Sequence, residues 1–378
     1  MILFPKTVKT PPKFTPKVIA EPTVNVGVID NTFGLDMMIT KVSDPTVTKN
    51  YRTGMFLGHD YSKEQFWNAD ETLIKVASRQ ILENVKGYKT LDLSNAGGTS
   101  RWSNLRPDIQ FSFGSSAIFE YNVKTKVKTE IINFKHLLPD TNRVYLGQSE
   151  GTLSVDDKYV LVNIVKNKIM RNILVDLTKG IIISNKSCLE LGFPDQDYFT
   201  VSKSGKYIIG NVKTEDPEQQ KILYDLNFKK LKEIGTGSHR DAGLNAYGED
   251  IYARAGLPSA TNLETLEEYC PYTISEWREF WIKNATSGHS SMAANNNPEW
   301  VYLSTSGILT PGCIFSFRAH TGPPEMKFWV PTRRGNTAFS YSSEVKGSPS
   351  RSGDKIIYDS DWLKTPANTR AYIAEVAK

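Results

Sequence analysis

The sequence predicts an all-β fold: a β-propeller of about seven four-stranded blades, closed by an N-terminal strand, with a small helical insertion in the fifth blade. Three observations carry that prediction. A short phrase recurs along the chain, a polar turn holding Asp, Gly or Asn followed by a run of β-formers. Its copies lie roughly 40–50 residues apart, the period of one propeller blade. Most copies are then followed by two alternating strands joined by a tight polar turn, the signature of a hairpin.

Taken in order, the chain opens with Pro5, Pro11, Pro12, Pro16 and Pro22. Prolines this dense cannot keep a hydrogen-bond ladder, so residues 1–35 read as an extended arm that lies over the body or reaches a partner subunit. Residues 36–378 read as one propeller domain. Met37-Met38-Ile39-Thr40-Lys41-Val42 is a strand, and Arg370-Ala371-Tyr372-Ile373-Ala374-Glu375-Val376 is another. The two are expected to share the last blade, which removes an open sheet edge. Between them the phrase runs Asn68 to Ile74, Ser154 to Val160, Ser202 to Ile208, Asn245 to Ile251 and Ser350 to Ile356. Degenerate copies sit at Leu105–Ile109 and Asn296–Val301. Hairpins follow at Phe119–Val123, Ile173–Leu177 and Ile222–Leu226 with their partner strands. Residues 257–287 break the pattern. Asn262 to Tyr269 is rich in helix formers, and Trp277, Phe280 and Trp281 follow an N-cap at Ser275 with i, i+3, i+4 spacing, so a helical insertion is expected there.

Composition excludes several classes. The 378 residues carry a net charge of only +5, and no Lys/Arg block stands out beyond the Pro-Lys-rich start, so no nucleic-acid partner is expected. No apolar run reaches the roughly 20 residues of a membrane span. Met1-Ile2-Leu3-Phe4-Pro5-Lys6 has no signal-peptide pattern, and an extracellular or virion setting is expected, with lysis release or a removed leader to account for this. Cys188, Cys270 and Cys313 have neither disulfide nor zinc spacing and read as buried small side chains. Asp156-Asp157 and Asp359-Ser360-Asp361 lack the alternating ligands of a calcium loop and read as turn residues.

Residues just before each phrase should converge at the central channel. They are Gly58-His59-Asp60-Tyr61, Arg101-Trp102-Ser103-Asn104, Gly237-Ser238-His239-Arg240-Asp241, Gly288-His289-Ser290-Ser291 and Gly347-Ser348-Pro349-Ser350. Three of the five histidines occupy such positions. One reading is a glycan-facing cluster, with Trp102, Asn104, Asp241 and His289 as binding residues and Trp277 and Trp281 as a stacking ledge or oligomer contact. The other is that these histidines only tie loops together through Asp60, Asp241 and backbone groups, and that the insertion's aromatics pack on the propeller rim.

His59 through Lys63 and on to Trp67-Asn68-Ala69-Asp70, with Arg101-Trp102-Ser103, Gly288-His289-Ser290 and Ser350 through Trp362, resembles seven-bladed propellers akin to oligogalacturonate and ulvan lyases. The likeness runs over most of the chain from about residue 30. It implies β-elimination at a uronic acid, with His239 or His59 as base, Tyr61 as acid, and Arg101 or Arg240 neutralising the carboxylate. The oligogalacturonate enzymes hold a divalent metal on histidines clustered late in the chain. Here His289 has no histidine neighbours in sequence and the seventh blade offers Ser348 and Ser350, so no cofactor is expected. Two functions follow. One is a non-catalytic surface or assembly module, such as a virion or tail component, that binds a glycan or neighbouring subunits. The other is a polysaccharide lyase acting on uronic-acid polymers.

Overall fold

The computed structural model describes residues 19–43, 61–76, 80–85, 88, 90–93, 99–136, 138–139, 141, 143–147, 150–166, 169–214, 220–236, 240–255, 259–269, 288–305, 312–320, 325–333, 345–364 and 369–377. Among these residues the strands form seven antiparallel sheets. Strands β1 (Gly27–Asp30) and β2 (Met37–Lys41) belong to the last sheet. Blade 1 holds β3 (Leu73–Val76), β4 (Gln80–Glu83) and β5 (Thr90–Leu93), with Trp67 bridged to Ile74 on its inner side. Blade 2 holds β6 (Thr99–Trp102), β7 (Ile109–Gly114), β8 (Ala117–Asn122) and β9 (Lys128–Asn133). Blade 3 holds β10 (Val144–Tyr145), β11 (Tyr159–Lys166), β12 (Ile169–Asp176) and β13 (Ile181–Ser187). Blade 4 holds β14 (Asp195–Val201), β15 (Ile208–Lys213), β16 (Gln220–Tyr224) and β17 (Lys230–Thr236). Blade 5 holds β18 (Arg240–Leu244), β19 (Asp250–Arg254), β20 (Ser259–Asn262) and β21 (Glu268–Tyr269). Blade 6 holds β22 (Gly288–Ser291), β23 (Trp300–Thr305), β24 (Cys313–Arg318) and β25 (Met326–Pro331). Blade 7 holds β26 (Ser348–Pro349), β27 (Lys355–Ser360) and β28 (Arg370–Val376), completed from outside by β2 and then β1.

The recurring phrase is the turn between the innermost and second strand of each blade. Its first residue caps the turn: Asn68 Oδ1 accepts from Leu73 N, Ser154 Oγ from Tyr159 N, Ser202 Oγ from Tyr207 N and Ser350 Oγ from Lys355 N. Asn245 Oδ1 does the same for Tyr247 N and Glu249 N. A short oxygen-bearing side chain is needed here because the turn leaves backbone donors without a ladder partner. Three residues further on the backbone turns left-handed, at Glu71, Asp157, Gly205, Gly248 and Gly353. That requirement explains why Gly and Asp recur at this position.

Each blade buries both faces against its neighbours. Seven clusters of buried apolar side chains fill the seven interfaces, from Leu73, Ile81, Trp102 and Tyr121 between blades 1 and 2 to Ile357, Ile373, Trp67 and Ile74 between blades 7 and 1. The expected ring closure is present: β2 pairs with β28 from Met37↔Val376 to Lys41↔Tyr372. Chain termini therefore share a sheet, and β1 adds a strand beyond it. Asp30 and Arg333, both nearly fully buried, form an ion pair that fastens β1 to the end of blade 6. Glu21 pairs with Lys41 and Lys364 and accepts from Tyr372 Oη, and Trp362 Nε1 donates to Ile19 O.

The helical insertion is corrected over its first part. Residues 259–269 complete blade 5 as β20, a turn and β21. Asn262 Oδ1 accepts from Glu264 N and Thr265 N, as Asn122 Oδ1 does from Lys124 N and Thr125 N and Asp176 Oδ1 from Thr178 N and Lys179 N. Asn262 starts the same hairpin turn as Asn122 and Asp176, and blade pairing overrides the helix propensity of Glu264 to Glu267. Residues 270–287, with Cys270, Trp277 and Trp281, lie outside the described residues. Cys188 and Cys313 are buried free thiols, as expected.

Candidate functional site

Antiparallel order puts the phrase turns at one end of the central channel and the connections that enter each inner strand at the other. At the phrase end the channel is plugged. Arg351, 1% exposed, donates through Nε to Trp67 O and Asn68 O, through one terminal nitrogen to Asn104 Oδ1 and through the other to Ser103 O. Asn295 Nδ2 also donates to Asn104 Oδ1, crossing from blade 6 to blade 2. Asp157 accepts from the Ser103 hydroxyl and from Asn104 N, which bears out its reading as a turn residue and gives it an inter-blade role. Burial lowers the Arg351 guanidinium to about 10.

Toward the opposite end the channel fills with charge. The segment Tyr61–Gln65 runs through it, buried at every position. Lys63 Nζ lies 2.5 Å from Glu150 Oε2 and 3.9 Å from the ring centroid of Tyr198, so one side chain spans blades 1, 3 and 4. Glu64 pairs with Lys75 and, at 3.1 Å, with Arg101. Tyr198 Oη lies 2.5 Å from Tyr252 Oη and donates to Arg240 O. Asp241 accepts from Met292 N at 2.7 Å, linking blades 5 and 6. Burial raises its carboxyl to about 6, against the pull of Lys203 and Lys63. Burial brings the Lys221 ammonium down to about 7, helped by the like charge of Lys63, and it also lowers that of Lys203, which stands in the blade 4 phrase turn on the plug side. Lys221 donates to Asn211 Oδ1, whose amide donates to Asp197 Oδ2 at 2.6 Å. Asp197 is the extra residue of a bulge in β14, a local kink that re-aims its carboxylate, and burial with the nearby Glu150 charge raises it.

The sequence-selected residues separate into groups. Tyr61 and His289 meet edge to face, with ring centroids 5.3 Å apart, and Lys63 and Lys346 flank Tyr61. Arg101 and Arg240 are buried, and their terminal nitrogens make structural bonds. Arg101 serves Glu64, Ser100 O and Gly151 O, and Arg240 serves Ile234 O and Thr236 O beside the Tyr252 ring. Trp102 is corrected: its ring packs in the core between blades 1 and 2 and its indole donates to Phe66 O, so it presents no face to a ligand. Asn104 is corrected too, as a tie in the plug at the far end. His59 and His239 lie outside the described residues. Among the described residues no three His, Cys, Asp or Glu side chains are grouped to hold a metal ion. The side chains near His289, a tyrosine with two lysines beside it, do not fit a divalent cation.

Sequence reading missed Lys63, Lys75, Lys203, Lys221, Glu64, Glu150 and Asp197. Lys75 in Leu-Ile-Lys-Val and Lys221 in Gln-Lys-Ile-Leu carried a usable signal, a charge inside an apolar strand run. Lys63 and Glu150 carried none, since both stand in polar connecting sequence.

No protein-family model and no curated protein matches the sequence. Solved structures do. An oligogalacturonate lyase in complex with manganese shares 11% identity at a TM-score of 0.62, covering 99% of this chain and 98% of that one. An oligogalacturonate lyase from Vibrio parahaemolyticus shares 10% identity at 0.58, covering 100% and 99%. A chain of the mitotic checkpoint complex shares 9% at 0.50, covering 90% and 91%. The described residues therefore share the propeller architecture of the solved oligogalacturonate lyases, a likeness of fold that carries no activity with it.

Proposed function

We propose that the protein is a non-catalytic propeller module that binds an acidic glycan at the end of the channel opposite the plug. One observation carries this reading: among the described residues Lys63, Lys75, Arg101, Lys221, Arg240 and Lys346 are all buried there, beside Glu64, Glu150, Asp197 and Asp241. A cluster of buried cations suits an anionic ligand, and buried charge of this kind collects at functional sites. A polymer of uronic acids supplies carboxylates at regular spacing, and its hydroxyls suit the Tyr198–Tyr252 pair. Titration calorimetry with oligogalacturonate, alginate and ulvan oligomers, against a neutral oligosaccharide of equal length, tests it. Binding of at least one acidic oligomer and none of the neutral one is expected; equal binding of both overturns it.

A second reading, a uronate lyase, is favoured by Lys221, held near neutrality within reach of the channel charges. An amine poised there is suited to take a proton at neutral pH. Incubation with pectin, alginate and ulvan, followed by absorbance of the unsaturated product, separates the two. Product that disappears in Lys221→Met establishes catalysis, and absence of product on all three polymers removes this reading.

A further inference from the structure

We propose that Glu150 is a built-in stand-in for the ligand's carboxylate, and that a uronate group displaces it to bind the Lys63 ammonium. This deepens the acidic-glycan reading and rests on it. Lys63 is the fixed partner: its side chain is 3% exposed and its ammonium rests on the face of Tyr198. Glu150 is the outer partner, 20% exposed. Burial alone would lower the Lys63 ammonium, yet Glu150, with Tyr61, Tyr252 and Asp241, holds it above its ordinary range and charged.

The backbone shows how Glu150 is delivered. Among the described residues the inner strand of blade 3 pairs with β11 at Val144 and Tyr145 and next bridges to it at Leu153. In blade 4, by contrast, β14 stays in its ladder from Asp195 to Val201 with a single bulge. The excursion turns at Gly147, whose φ is +46° and where a Cβ would meet the Phe199 carbonyl, so only glycine fits. Glu150 N donates back to Gly147 O, and Gly151 N to Leu146 O. Among the described residues of this stretch, Leu146, Gly147 and Glu150 to Thr152 have no ladder partner on β11, and the side chain brought to Lys63 is a carboxylate. Exchange of one carboxylate for another keeps the buried ammonium paired throughout, whereas a neutral sugar would strand it. The site thus selects for charge, and Glu150 sets the threshold for occupancy.

The test compares wild type, Glu150→Gln and Lys63→Met by calorimetry and thermal melting, with trigalacturonate and a neutral trisaccharide. Glu150→Gln is expected to melt lower than wild type without ligand and to bind trigalacturonate about tenfold more tightly, a gain of about 1.4 kcal/mol. Neutral-sugar binding should not change, and Lys63→Met should lose the acidic ligand. If wild type binds trigalacturonate and Glu150→Gln binds it no better, the stand-in role is overturned while the acidic-glycan reading survives. If neither binds any acidic oligomer, both fall. Should Glu150→Gln fail to fold, Glu150→Asp, which keeps the charge but shortens the reach, is expected to show a smaller gain; no gain there also overturns the role.

Discussion

Lys221 shows what burial does to a single charge. Its ammonium is wholly enclosed on β16, near Lys63 and Arg240, and is held at about 7 against an ordinary 10.5. The folded protein therefore binds fewer protons than the unfolded chain between those values, so stability rises with pH across that window and the penalty is complete below about 7. Lys221→Met is expected to stabilise the fold by about 1–3 kcal/mol near pH 6, with the gain fading toward pH 10. A gain that does not vary with pH in chemical denaturation would mean Lys221 titrates normally. Arg351 is the opposite case, a buried cation whose three nitrogens each reach acceptors on blades 1 and 2. Arg351→Met should cost about 3–5 kcal/mol in the same measurement, because it strips several buried carbonyl groups of their partner at once; a loss below about 1 kcal/mol would show that the plug does not hold the ring. None of this was legible from residue type alone. The histidines drew attention because they are rare, while lysines are common, and only the channel geometry distinguishes the buried ones.

At the scale of elements, the phrase turn can be tested by two glycines with the same backbone and different surroundings. Gly248 and Gly353 both lie at positive φ, +77° and +73°. A Cβ at Gly248 meets nothing, so Gly248→Ala should cost only the left-handed penalty, about 1 kcal/mol. A Cβ at Gly353 meets the Tyr302 hydroxyl, which donates to Gly353 O, so Gly353→Ala should cost about 2–4 kcal/mol. Equal losses in urea titration would refute the packing argument. The turns were readable because their chemistry is local: an oxygen side chain to cap, a left-handed residue three positions on, a strand after. The Asn262 turn was misread because Glu264-Thr265-Leu266-Glu267 suits a helix just as well. The signal that decides, Asn262 standing where Asn122 and Asp176 stand in other blades, appears only once the repeats are aligned. Inner strands were legible as places where residues meet, but which side of the strand each residue takes was not. Arg101 turns toward Glu64 and its neighbour Trp102 into the core.

For the whole molecule, ring closure and the charged channel follow from the same seven-fold repetition. Closure depends on the N-terminal segment, and two of its carboxylates hold it differently. Asp30→Ala removes one carboxylate partner from the buried Arg333 and should cost about 2–4 kcal/mol. Glu21 is partly exposed, and its carboxyl is lowered to about 2: burial opposes this, and Lys364, Lys41 and Tyr372 outweigh it. Its contribution is therefore complete above about 4.5 and is lost as pH falls toward about 2. Glu21→Gln should flatten that part of the acid melting curve, and an unchanged acid limb would show that the clasp does not matter. The channel carries the central claim, that its unplugged end holds an acidic glycan. Amide hydrogen exchange with and without saturating oligogalacturonate tests this most directly. The account predicts slower exchange at 61–65, 150–153, 195–198 and 240–242, with the phrase turns and the outer strands unchanged. Protection confined to the outer surface, such as the groove of about 440 Å³ lined by Lys206, Tyr207, Leu231, Lys232 and Glu264, would contradict it.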